Sequence, residues 1–123
     1  MHYPIPSSKH DLATAEKLHQ YSIEELRPII PTLLEWMQDG NWPVFVPVRD
    51  YLKKYVADIQ DEILAIFRTE DDVWKYWILL SFGEQLTDRR LIEKVQRMAQ
   101  QPTDSERLEG LEEIAQELIS KMS

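Results

Sequence analysis

Apolar residues recur along this chain at three- and four-residue spacing, the period of a helix with one buried face. The clearest stretch runs from Leu33 to Leu52. Leu33, Leu34, Trp36 and Met37 share one face and end at Asp39-Gly40; Val44, Val48, Tyr51, Leu52 and Tyr55 form the next. Gly40 leaves the helical region without steric cost, Asn41 suits an N-cap, and Pro43 suits a first helical turn. So short a loop folds the two helices back antiparallel.

The same period predicts the other elements. Asp11 caps a short helix with Leu12, Ala15 and Leu18 on one face, closing at Gln20-Tyr21. Ser22-Ile-Glu-Glu reads as a capping box opening a helix over Ile23 to Leu26. Pro28 and Pro31 force a fresh start, and a main helix then runs to Gln38. A second main helix is expected from Pro43 to Val56, with Pro47 either kinking it or closing a separate irregular turn over Pro43 to Pro47. Ile59, Ile63, Leu64, Ile66 and Phe67 predict the next helix; Asp72 to Leu86 is apolar around most of its circumference and is expected to be central. Leu91, Ile92, Val95 and Met98 mark a polar helix, Gln101-Pro102-Thr103 breaks it, and one last helix runs from Ser105 to Met122 with Leu108, Leu111, Ile114, Ala115, Leu118 and Ile119 as its stripe. Only Val44 to Val48 is strand-like, and its two prolines argue against a central strand. The reading is all-α: a single domain over residues 1–123 with a flexible arm at 1–9.

Leu33-Leu34, Trp36-Met37 and Val48 match Ile63-Leu64, Ile66-Phe67 and Ile78 at an offset of thirty. Helical hairpins that cannot bury their faces alone stack into solenoids. The expectation is a short HEAT-like stack of antiparallel helical hairpins; the competing architecture is an irregular helical bundle with accidental periodicity.

Composition narrows the chemistry. The formal charge is −8, with no cysteine. The charge disfavours nucleic acid and anionic membranes, which want cationic surfaces, and suits a basic partner. Absent cysteines remove disulfides, thiolate nucleophiles and Cys-based zinc sites, and fit a cytoplasmic location. No secretory signal or membrane-spanning run is visible. The histidines, His2, His10 and His19, form no helical zinc motif, and Gly40, Gly83 and Gly110 build no phosphate loop. No cofactor or metal is expected.

Local sequence adds a resemblance. Lys9-His10-Asp11, Leu33-Leu-Glu-Trp-Met-Gln-Asp39 with Asn41-Trp-Pro-Val44, Asp71-Asp-Val-Trp-Lys-Tyr-Trp77, and Gln101-Pro-Thr103 with Glu112-Glu113 resemble the DUF5071 family of small bacterial proteins. The resemblance implies a helical, HEAT-like fold and no established activity. Gly40 departs from the larger residue that relatives tend to carry there.

Candidate sites follow from aromatics and acids. Trp36 and Trp77 read as core, whereas Trp42 and Trp74 open the second helices of successive hairpins, where tryptophan either covers a core or anchors a partner. The candidate partner-binding set is Asp39, Asn41, Trp42, Tyr51, Glu70, Asp71, Asp72, Trp74 and Tyr76, with Tyr55 beside it on the inner face. His10 and Asp11 form a candidate N-terminal polar site, read most simply as a pair that pins the arm at a helix start. The favoured function is a non-enzymatic protein-interaction domain, for example an immunity- or antitoxin-like protein using an acidic, aromatic surface. The alternatives are a small hydrolase-like enzyme with a carboxylate or metal-assisted site and, least favoured, a helical-repeat nucleic-acid binder using Arg89, Arg90, Lys94 and Arg97.

Overall fold

The computed structural model describes residues 2–122. The chain divides into two compact units, Met1–Ile59 and Gln60–Ser123, each taken by itself below. Among the described residues every regular element is an α-helix or a 3₁₀ turn.

In the first unit Asp11 caps α1 (Leu12–Glu16), its carboxylate accepting from the Thr14 N–H at 3.2 Å. A 3₁₀ turn, Lys17–Gln20, continues it. Helix α2 (Ile23–Leu26) opens on the capping box, Ser22 Oγ accepting from the Glu25 N–H and Glu25 returning the bond to the Ser22 N–H. Pro28 lies in the 3₁₀ turn Arg27–Ile29, and Pro31 in the first turn of α3 (Ile30–Glu35), positions where no helical N–H is lost. Helix α4 spans Phe45–Lys53. It starts two residues later than expected, so Pro47 sits in its first turn and imposes no kink. Ala15, Leu18, Leu26, Ile30, Leu33, Leu34, Met37, Val48 and Leu52 are buried, each leucine contributing about 2 kcal/mol of transfer free energy. Arg27 closes the unit, donating to the Asp58 carbonyl at 2.7 Å.

The second unit holds α5 (Gln60–Phe67), α6 (Asp72–Phe82), α7 (Arg89–Gln100), α8 (Asp104–Leu108) and α9 (Leu111–Met122). Gln60 ties the start of α5 to the entry of α7: its Oε1 accepts from the Thr87 and Asp88 N–H groups at 2.8 and 2.6 Å, and its Nε2 donates to Thr87 Oγ1 at 2.8 Å. Helix α9 packs chiefly on α7 and also on α6 and α8. Gly83, just past α6, is buried where an added Cβ would stand 2.5 Å from Leu118 Cδ1, so α9 approaches there as closely as glycine allows.

Four expectations are corrected. The regular HEAT-like stack is absent. The helices are unequal, from four residues in α2 to twelve in α7 and α9, 3₁₀ turns interrupt them, and their long-range packing is irregular and does not repeat. The antiparallel hairpin centred on Asp39–Asn41 does not organise the unit either, because α3 is only six residues long and α4 lies principally against α1 and the turn that follows it. Helix α6 is not buried all round: Lys75, Ile78, Leu79 and Phe82 face inward, while Val73 and Leu80 are exposed and Tyr76 and Trp77 half-buried. Lastly, the final helix is two. Gly110 adopts φ +81°, a left-handed value that ends α8 and re-aims the chain. Leu108, expected on the apolar stripe, is thereby left 83% exposed.

Candidate functional site

The candidate residues fall in both units. In the first, Asp39, Asn41 and Trp42 lie in one turn. Asp39 Oδ1 accepts from the Asn41 N–H at 2.8 Å and its carbonyl from the Trp42 N–H at 3.1 Å. The half-buried Trp42 indole meets Trp36 edge-on, centroids 5.8 Å apart. Tyr51 does not line a surface. It is fully buried, its hydroxyl donating to the Tyr21 carbonyl at 3.1 Å, because α4 turns this position toward α1. Burial, with Tyr55 and Glu25 nearby, pushes its hydroxyl up to about 12. Around it stand the rings of His19 and Tyr55, with Lys54 Nζ over both tyrosines and 3.0 Å from His19 Nδ1.

Asp11 holds the segment before α1. Its Oδ2 accepts from the Ser7 N–H at 2.9 Å and the Ser7 hydroxyl at 3.0 Å. The Ser7 backbone bond, with Thr14, lowers the carboxyl to about 2. His10 is exposed, its N–H donating to Ser8 Oγ at 3.2 Å.

In the second unit the acidic triplet splits into three roles. Glu70 is exposed. Asp71 caps α6, accepting from the N–H of the half-buried Trp74 at 3.0 Å. Asp72 turns inward: Oδ1 lies 3.2 Å from Lys75 Nζ, and Oδ2 accepts from Ser105 Oγ at 2.6 Å. Beside this pair Arg97 donates twice to Glu106, both at 2.5 Å, and Glu106 Oε1 also accepts from the Thr103 N–H at 2.8 Å. Lys75 and Glu106 are both more than nine-tenths buried. These groups line a cleft of about 410 Å³. Burial pushes the Glu106 carboxyl up, but the Arg97 bonds and the Thr103 N–H outweigh it and the net direction is down. Pairing offsets much of the cost of burying Asp72, Lys75 and Glu106, and removing a partner would leave a buried charge uncompensated.

Lys75, Ser105 and Glu106 are not among the residues expected at a site, and Arg97 is expected only on a nucleic-acid face. Two signals were present: Lys75 stands one turn after Asp72, and Thr103-x-x-Glu106 is a capping-box pattern, which the structure forms.

A second feature lies on the outer side of α6. Val73, Tyr76, Trp77 and Leu80 follow the i, i+3, i+4, i+7 rule on the face away from the buried residues. Tyr76 meets Trp77 edge-on at 5.4 Å. Leu80, 56% exposed, and Leu108 join Tyr76 in a groove of about 340 Å³ edged by Glu109, Glu113 and Glu117. Gly110 forms part of its wall, 3.4 Å from the Tyr76 ring if a Cβ were present.

Among the described residues no group of three or more histidines, cysteines or acids is placed to hold a metal, and no helix is long and apolar enough to cross a membrane. Three arginines of α7 are matched by acids: Arg89 by Glu93, Arg90 by Asp61 and Asp88, Arg97 by Glu106.

A family model described as a domain of unknown function, DUF5071, matches residues 4–119, and the chain belongs to that family. No curated protein matches it.

Proposed function

Starting from membership of a family whose description assigns no activity, we propose that this chain is a protein-interaction domain. The carrying observation is the apolar face of α6 that turns outward and continues onto Leu108, the most exposed large hydrophobic residue described. Contiguous exposed apolar surface rimmed by charge is the mark of a contact site. Glu70, Trp74 and Tyr76 in the second unit, and separately Asp39, Asn41 and Trp42 in the first, are the other expected contact residues. The −8 charge supports a basic partner, and an immunity- or antitoxin-like role is one form this takes.

The test uses Leu80→Ser with Leu108→Ser, because both side chains are already in water and their loss spares the core. Unchanged circular dichroism with loss of a partner captured from host lysate is the expected result. Capture undiminished in the double variant overturns the assignment. Asp71→Ala and Asp72→Ala are unsuited to this purpose, since one removes a helix cap and the other strands Lys75.

One observation favours a second reading, a hydrolase-like carboxylate site. Ser105 Oγ donates to Asp72 Oδ2 beside Lys75 in an open cleft, which places a hydroxyl, a base and a cation together. Turnover of a simple aryl ester, abolished by Ser105→Ala in a folded protein, is the result this reading needs; equal rates in both proteins remove it.

A further inference from the structure

We propose that the groove between α6 and the α8–α9 bend receives a cationic amphipathic helix of another protein. This assigns a partner class to the interaction face and rests on that proposed role. An apolar row and an acidic row line the groove. Tyr76 and Leu80 are four residues apart on α6, and Glu113 and Glu117 are four residues apart on α9, with Glu109 just before the bend. Four helical residues advance about 6 Å. A guest helix with apolar side chains at i and i+4, and lysines or arginines one position round at the same spacing, meets both rows at once.

The charges on the acidic edge are available. Most carboxylates inside this unit are spent: Asp72 on Lys75, Glu106 on Arg97, Asp61 and Asp88 on Arg90. Among the described residues no cation pairs with Glu109 or Glu113, and Glu117 shares Lys121, at 3.5 Å, with Glu84. The apolar edge is also built rather than accidental. Leu108 stands in water because Gly110 breaks the helix, and glycine there lets the Tyr76 ring close the floor at a distance where any Cβ would already be in contact. A second copy of this chain fits poorly, since a self-contact sets glutamates against glutamates. An anionic membrane is disfavoured by the same rim.

The experiment titrates full-length protein with a leucine–lysine amphipathic helical peptide of about 14 residues at about 0.15 M salt, read by amide chemical shifts. The control peptide carries glutamate at every lysine. Expected are shifts confined to the amides around Tyr76, Leu80, Leu108 to Gly110 and Glu113. Affinity should fall at least about tenfold in Glu109→Lys/Glu113→Lys and again in Leu80→Ser/Leu108→Ser, and the acidic peptide should not bind. Circular dichroism of each variant confirms the fold. Binding of the acidic peptide at this face overturns the cationic partner class while sparing the face as a protein contact. Cationic binding that maps elsewhere, or that survives the leucine changes, overturns the face itself. A concentration-dependent dimer abolished by Leu108→Ser overturns the assignment in favour of a second copy.

Discussion

Replacing Arg97 by alanine tests whether the paired charges between α6, α7 and α8 hold the second unit together. Glu106 is 3% exposed at its side chain, and Arg97 supplies two of its hydrogen bonds. Removing one partner of a buried pair costs about 3–5 kcal/mol when the survivor is left uncompensated. Here the survivor keeps the Thr103 N–H and the nearby Lys75, and Arg97 itself is 45% exposed. The expected loss is therefore smaller, about 2–3 kcal/mol. Urea unfolding followed by far-ultraviolet circular dichroism reads it as a midpoint lowered by about 1–2 M, given typical slopes. Glu106→Gln keeps the shape, leaves Arg97 able to reach water, and should cost about 1–2 kcal/mol; the double change should fall short of the sum by about 1 kcal/mol or more. The pH dependence follows from the lowered Glu106 carboxyl. A carboxyl depressed by folding gives its full stabilisation above the unfolded range and loses it as pH falls through the folded value, so the gap between wild type and Arg97→Ala should close below about pH 4. A loss under about 0.5 kcal/mol at pH 7, or a gap unchanged between about pH 7 and 3, refutes the reasoning.

Other consequences are as direct. Tyr51→Phe should cost about 1 kcal/mol for the bond to the Tyr21 carbonyl, and should remove the phenol that, in a spectrophotometric titration, ionises only near pH 12. The Asp11 carboxyl should titrate near 2 by NMR; its folded value is the lowered one, so its help to the fold is complete above the ordinary carboxylate range and fades as pH drops through about 2. Gly110→Ala forces a side chain into the left-handed region against Tyr76 and should lower stability by about 1–2 kcal/mol, whereas Leu108→Ser, two residues earlier, should stay within about 0.5 kcal/mol. Equal effects at 108 and 110 would contradict the bend that separates them.

Local chemistry was legible because it is decided within one turn. Asp11 and Ser22 with Glu25 cap as their spacing says, and Ile23–Leu26 has the bounds that Pro28 imposes. What periodicity does not encode is which helix a stripe meets. Leu33 and Leu34 are buried as expected, yet the matching offset at Ile63 and Leu64 reflects only that both helices have a core face. Helices of four to six residues, such as α2 and α3, also give too little stripe to fix a partner. Tyr51 was misplaced for that reason: its stripe was right and the element covering it was unknown. At Gly110 the signal was weak, since one glycine inside an apolar period is tolerated as often as it ends a helix. The inward acid of the triplet was hard to pick out for a further reason. Lys75 one turn later is the local hint for Asp72, and its other partner, Ser105, is thirty-three residues away.

Helix α6 inverts the usual partition of residue types, and the inversion separates its structural from its functional positions. Lys75 is buried and Leu80 is in water. The buried lysine has a complete account within its own unit: Asp72 one turn before it, Glu106 beside it, and Arg97 balancing the second acid. That network fixes which side of α6 faces in, because rotating the helix to bury Leu80 would carry Lys75 and Asp72 together away from Glu106 and Ser105 on α8. The outward side is thus held outward by the polar side. Leu80, Tyr76 and Val73 then have no stabilising duty comparable to Ile78, Leu79 and Phe82, and a soluble surface gains nothing by keeping them apolar. Their joint exposure with Leu108 follows from two devices, the charge network and the Gly110 bend, and the same two devices set the glutamate row beside it.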